Sequence, residues 1–173
     1  ERIMIHFVGA GSGAVDLITI RGAELLKEAD VIIYAGSLVN PDLLNYAKDS
    51  CEIYDSAKMT LDEVLEKMFE AEKENKMTVR LHTGDSSIYG AIREQMDRLD
   101  EEGVSYDVCP GVSSFCGAAA ALKAEYTLPD VSQSVIITRM AGRTPVPEKE
   151  SIASFAEHGA TMVIFLSTGL LKD

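Results

Sequence analysis

Near-continuous apolar runs alternate along this chain with stretches whose apolar residues recur at helical spacing. Ile3 to Val8, Val31-Ile32-Ile33-Tyr34, Cys51 to Tyr54, Met77 to Leu81 and Ser105 to Cys109 read as five strands. The first is almost wholly apolar, as strands buried on both faces of a parallel sheet are. A helix is predicted from about Thr19 to Ala29, with Ile20, Ala23, Leu25 and Leu26 turned inward. Asn40 as N-cap and Pro41 at the first helical position open a short one. Thr60-x-x-Glu63 is a capping box, with Met59 and Val64 in staple position. Behind it Leu61, Val64, Leu65, Met68 and Ala71 repeat at helical spacing to about Asn75.

The fourth strand runs into Leu81-His82-Thr83-Gly84-Asp85-Ser86-Ser87-Ile88-Tyr89-Gly90, and a helical pattern starts there at once. That helix is expected to bury Ile88, Ile92, Met96 and Leu99 and to end at Gly103 as a C-cap. Pro110-Gly111 cuts off the fifth strand, and Val112-Ser113-Ser114 caps a small-residue helix through Leu122. Strands alternating with helices mean βαβ units and an α/β fold with a parallel sheet. After Leu122 the rhythm changes. Glu125 to Gln133 reads as a linker, Ser134 to Thr138 and Thr161 to Leu166 as strands, and about Ser151 to Glu157 as a helix. Two strands are too few to close a sheet. The organisation expected is a domain over residues 1–123, then a linker and an incomplete α/β domain over residues 124–173.

Composition narrows the function. A net charge of −12 disfavours nucleic acid and anionic membranes as partners, because both need a basic surface. Hydrophobic content of 46% with 25% charge is that of a globular protein. Cys51, Cys109 and Cys116 are odd in number and lack C-x-x-C spacing, which argues for small core residues in a reducing compartment rather than disulfides or a zinc site. No apolar run reaches the length of a membrane span. Ile3 to Val8 is interrupted by His6 and has no basic segment before it, so it reads as a strand of a cytoplasmic protein and not as a signal peptide. The start at Glu1 and the stop at Asp173, soon after a strand-like run, suggest part of a longer chain.

Ligands of open parallel sheets sit outside the carboxyl ends of the strands. There the Thr83–Ser87 loop offers backbone N–H groups, one carboxylate and three hydroxyls. Gly9-x-Gly11-x-x-Ala14 fits the dinucleotide fingerprint in its Gly/Ala form. The acidic partner is missing, however: the second strand ends in Tyr34-Ala35-Gly36-Ser37, and Asp30 stands at its other end. Those glycines mean either close backbone approach or a tight turn. Ser87, Ser113 and Ser114 stand at helix starts without a G-x-S-x-G elbow. His82 either lines the site or is a satisfied buried residue. Metal-ligand spacing is absent. A site of glycines, hydroxyls, one aspartate and backbone groups suits group transfer from an activated donor, where positioning does most of the catalysis.

Three stretches together resemble the tetrapyrrole methylases. Val8-Gly9-Ala10-Gly11-Ser12-Gly13 is similar to their G-x-G-P-G opening. Thr83-Gly84-Asp85-Ser86-Ser87-Ile88-Tyr89-Gly90 is similar to their G-D-P-x-x-Y-G loop, and Cys109-Pro110-Gly111-Val112-Ser113-Ser114 to their V-P-G-x-S-S turn. Tyr34-Ala35-Gly36-Ser37-Leu38-Val39-Asn40-Pro41 and Gly142-Arg143-Thr144-Pro145-Val146-Pro147-Glu148 resemble the branch that methylates C11 of a precorrin-4-type macrocycle, with or without cobalt.

The resemblance implies a two-domain α/β methyltransferase, usually a homodimer, that takes its methyl from S-adenosylmethionine, releases S-adenosylhomocysteine and holds the donor between its domains. Carried over by position, Gly84, Asp85, Ser86, Tyr89, Ser113, Ser114, Phe115 and Leu166 would hold the donor. Gly9, Gly11, Ser12, Gly13, Tyr34 and Ser37 would border the macrocycle. Its carboxylates call for arginines, with Arg80, Arg139 and Arg143 as candidates. Methylation at another position such as C17, or a non-catalytic nucleotide-binding α/β module, are the alternatives. Ser12 and Ser86 stand where the family has proline, and Ala14 where it has aspartate. Losing the prolines is expected to loosen both loops through unfolded-state entropy.

Overall fold

The computed structural model describes residues 2–172. The chain divides into two compact units, Glu1–Gly117 and Ala118–Asp173. The first holds five parallel strands, β1 (Ile5–Gly9), β2 (Val31–Tyr34), β3 (Glu52–Asp55), β4 (Thr78–His82) and β5 (Tyr106–Cys109), in the order β3-β2-β4-β1-β5. Each strand lies within one or two residues of its predicted place. β1 and β4 are buried along their whole length, as central strands covered on both faces must be.

Side chains alternate across the sheet and build two apolar layers. On one face Val8, Ile32, Val79, Leu81 and Cys109 pack with α1 (Ile20–Glu28) through Leu26 and Ala29, and with Leu43 of a 3₁₀ turn over Pro41–Tyr46. On the other, Ile5, Phe7, Val31 and Ile33 pack with Val64, Leu65, Met68 and Ala71 of α2 (Leu61–Lys73) and with Leu99 of α3 (Arg93–Glu101). Asn40 and the Thr60–Glu63 box cap as expected, and Thr19 caps α1. Thr19 and Asn40 accept from the backbone N–H of Gly22 and Asp42, and Thr60 with Glu63 closes the capping box.

Three local expectations fail. Ile20, at the first position of α1, is 84% exposed, and Ile18 just before the cap fills the core instead. The Asp85 loop does not pass directly into a helix. Tyr89 (φ 53°) and Ala91 (φ 51°) are left-handed, a conformation that stops a helix, so α3 begins only at Arg93. Cys116 is exposed rather than a core residue. The helix α4 (Ser114–Leu122) begins where predicted, and the division between the units falls inside it.

In the second unit β6 (Val135–Arg139) and β7 (Thr161–Phe165) pair in parallel, Val135 beside Thr161. Between them lies α5 (Ile152–Ala156), capped by the Ser151 hydroxyl. Among the described residues no helix is long and apolar enough to cross a membrane.

Candidate functional site

The order of the strands decides where the site forms. β1 and β4 are neighbours, but β1 continues to β2 on one side and β4 to β5 on the other. Each connection must pass over the other's strand, α1 on one face and α3 on the opposite one. Their loops therefore cross at the carboxyl edge of the sheet. Gly11 and Gly84 exchange backbone hydrogen bonds of 3.2 and 2.9 Å there, and the Ala10 N–H donates to the His82 carbonyl. The turn after β5 closes over the crossing. A Cβ on Gly9 would lie 2.6 Å from the Gly84 carbonyl oxygen and 2.7 Å from Gly111 Cα and N. Three backbones meet where no side chain fits, so of the two readings left open for the first glycine loop, close backbone approach is the one seen.

Asp85 locks the crossing. One carboxylate oxygen accepts from the Gly111 N–H at 2.9 Å, and the other accepts from the Ser87 N–H at 2.9 Å and from the Ser87 hydroxyl. Partial burial pulls its pKa upward, but these bonds outweigh burial and hold the carboxyl below the usual carboxylate range. The structure thus joins Gly84 and Asp85 to the Gly111–Ser114 turn, and a Cβ built on Gly84 would lie 3.4 Å from Ser113 Cα and 3.5 Å from Ser114 N. Ser86 is 1% exposed and its Oγ has no hydrogen-bond partner among the described residues, an orphaned hydroxyl beneath the loop. Tyr89 is exposed, Phe115 half-buried. His82 is buried at the end of β4, and its Nε2 has no partner. Desolvation, then the charge of Arg80, push its pKa from 6.5 down to about 3. It is therefore a neutral imidazole at physiological pH.

The first glycine loop is pinned at both ends despite lacking its proline. Gly13 gives its carbonyl to the Asn40 side chain at 2.7 Å. Ser12 packs on Gly117, where a Cβ would lie 2.6 Å from the Ser12 Cβ. Tyr34 is half-buried, and its carbonyl accepts from the Ser56 hydroxyl. Ser37 stands exposed one residue past Gly36.

Arg80 requires correction as a macrocycle residue. It is 6% exposed on the face covered by α2 and α3, donating to Gln95 Oε1 at 3.0 Å and to the Ile33 carbonyl at 3.1 Å. The alternation of β4 turns it into the core, and burial lowers its pKa to about 10. Arg139, Arg143 and Leu166 belong to the second unit. Arg139 spends its guanidinium on the carbonyls of Met140, Thr144 and Pro145 and so folds its own loop. Arg143 is exposed, and Leu166 is 70% exposed with a left-handed φ of 55°. Sequence reasoning missed Asn40 as a brace, having read it only as a cap, and missed Gln95. A glutamine within the stripe Ile92, Met96, Leu99 was the signal for the latter. Among the described residues no three His, Cys, Asp or Glu side chains are grouped to hold a metal ion.

The family profile described as tetrapyrrole (corrin/porphyrin) methylases matches residues 4–172. The chain belongs to the tetrapyrrole methylase family. Within it, the chain is 56% identical over 167 residues to a cobalt-precorrin-4 C(11)-methyltransferase of Methanocaldococcus jannaschii, covering 96% of this chain and 64% of that one. It is 44% identical to a precorrin-4 C(11)-methyltransferase of a Sinorhizobium species, over 98% of this chain and 67% of the other. A solved cobalt precorrin-4 methyltransferase, a cobalamin biosynthetic enzyme, superposes with a TM-score of 0.94 at 49% identity, over 97% of this chain and 70% of that one. The chain thus spans about two thirds of the length of these methylases.

Proposed function

We propose that the protein is an S-adenosylmethionine-dependent C-methyltransferase acting at C11 of precorrin-4 or cobalt-precorrin-4, in corrin biosynthesis. The observation that carries this reading is the junction at which Asp85 grips Gly111, built in a chain 56% identical to a relative of that activity. The donor residues proposed are Gly84, Asp85, Ser86, Tyr89, Ser113, Ser114 and Phe115, with Leu166 from the second unit. Gly9 to Gly13, Tyr34 and Ser37 border the macrocycle, and Arg143 meets one of its carboxylates. A homodimer, a cytoplasmic location and a domain division near residue 123 belong to the same proposal.

The residues present fit such a donor. A cationic sulfonium ligand suits a cradle that contains an ionised carboxylate and an unpartnered, buried hydroxyl, Asp85 and Ser86. When bound, S-adenosylmethionine supplies a methyl group already activated for transfer. The chain's own part is orientation and exclusion of water, since positive charge is lost as the methyl moves and a dry site favours that loss. Asp85 and the glycine backbones fix the cradle. His82, uncharged two residues before Gly84, adds no cation that would repel the donor.

Calorimetry on the full-length protein with S-adenosylhomocysteine and with NAD tests the reading. Tight binding of the first alone is expected, and binding of NAD alone refutes it. Product analysis by NMR then tests C11 against other positions such as C17.

A further inference from the structure

We propose that Arg80 and Gln95 are positioning residues that hold the far end of the Asp85–Ile92 loop, acting from inside the core on the donor cradle. The proposal rests on the reading that this loop holds the donor, and adds how it is kept in place.

Arg80 sits in the middle of the central strand, in an apolar layer beside Ile33 and Phe7. A guanidinium there is costly, and a well-packed apolar residue is often neutral or stabilising at such a position. Among the described residues no carboxylate is a hydrogen-bond partner of Arg80. Its planar fork instead makes two directed bonds, one anchoring it to the Ile33 carbonyl and one to Gln95 Oε1. Because Oε1 is taken by a donor, Gln95 must turn its NH₂ the other way. That group donates to the Ala91 carbonyl at 3.1 Å. Ala91 is one of the two left-handed, non-glycine residues that delay α3, a conformation unfavourable for any residue with a Cβ.

The loop therefore has two anchors. Its near end is held by the Gly11–Gly84 bridge and the Asp85–Gly111 bond. Its far end is held by a buried relay from Ile33 through Arg80 and Gln95 to Ala91. Between the anchors lie the orphaned Ser86 hydroxyl and Tyr89. Gly90 packs so closely over Ser86 that a Cβ there would collide with the Ser86 carbonyl. A shift at Ala91 is thus passed directly to Ser86.

Gln95→Glu separates the two halves of the relay. The carboxylate still accepts from Arg80 but has no proton to give Ala91, so the core stays filled and paired while the loop loses its anchor. Arg80→Met removes the buried charge with a side chain of similar reach and leaves Gln95 unoriented, so folding survives even if the first variant fails to fold. In the full-length protein both variants are expected to bind S-adenosylhomocysteine about tenfold more weakly, with a macrocycle KM unchanged within twofold. Amide exchange over residues 86–92 is expected to speed up, while the urea midpoint holds or rises. A residue of purely structural importance would move the midpoint and leave the affinity of the folded fraction alone. If Asp85→Asn loses affinity but both relay variants keep it within twofold, the relay is overturned. Should the parent protein bind no S-adenosylhomocysteine, the donor reading fails. The relay is then decided by exchange alone: acceleration over residues 86–92 supports it and unchanged rates refute it.

Discussion

Gly9→Ala tests whether the crossing of the two loops is sterically closed. The added Cβ would lie 2.6 Å from the Gly84 oxygen and 2.7 Å from Gly111 Cα. That is about 1 Å inside ordinary contact for carbon, which is roughly 3.5–4.0 Å. Both obstacles are backbone atoms of other loops, themselves tied by the Gly11–Gly84 and Asp85–Gly111 bonds, so neither can rotate aside. Overpacking of this kind costs about 1–3 kcal/mol, and the rigidity of the neighbours places this site near 3. Gly103→Ala is the control. Gly103 follows α3 at φ 67° with nothing within 4 Å of its Cβ position, so only backbone strain of about 1 kcal/mol is added. The assay is urea unfolding followed by far-UV circular dichroism, with the m-value checked for constancy. If Gly9→Ala costs no more than Gly103→Ala, the three backbones do not meet as described and the argument for a shared cradle falls with them.

Acid should weaken the fold through His82. Below its ordinary value of 6.5 the unfolded chain takes up a proton that the folded chain refuses until about pH 3. Stability therefore falls as pH drops through that window, by about 2 kcal/mol at pH 5. His82→Asn should flatten the slope between pH 6.5 and 4.5 in urea titrations, and an undiminished slope would exclude the residue as its source. Thr60→Ala should cost about 1 kcal/mol by breaking the capping box, with much of that already lost in Glu63→Ala when the two are combined in a double-mutant cycle. Arg143→Ala should weaken binding of the polycarboxylate macrocycle about tenfold and leave S-adenosylhomocysteine binding unchanged. Equal affinity for the macrocycle would remove Arg143 from the site.

Local signals were legible wherever one residue type has one physical use. Thr60 with Glu63, Asn40 with Pro41 and Gly103 mark helix ends by chemistry that acts over three or four residues, and the structure puts those ends where they indicate. The five apolar runs likewise mark the strands, most clearly β1 and β4, which are buried along their whole length. Motif order also carried the family. The helix expected directly after Ser87 was misplaced because apolar spacing alone does not reveal that Tyr89 and Ala91 are left-handed. Gln95, which donates to the Ala91 carbonyl, is itself bonded by Arg80, on a strand fifteen residues earlier, a partner that apolar spacing does not reveal.

By itself, then, the amino-acid order determined the elements, their alternation and the family. Only the tertiary structure decided that β1 and β4 lie side by side with their connections running opposite ways. That adjacency brings Gly9, Gly84 and Gly111 into contact and makes Asp85 a clasp between loops. It also decided the fate of Arg80. An arginine at a strand's centre reads as a ligand for carboxylates until the pleat shows which face it takes, and here that face is the core. Local chemistry acts between residues close in sequence, whereas strand order and facing are set by which apolar layers close together, a property of the whole unit.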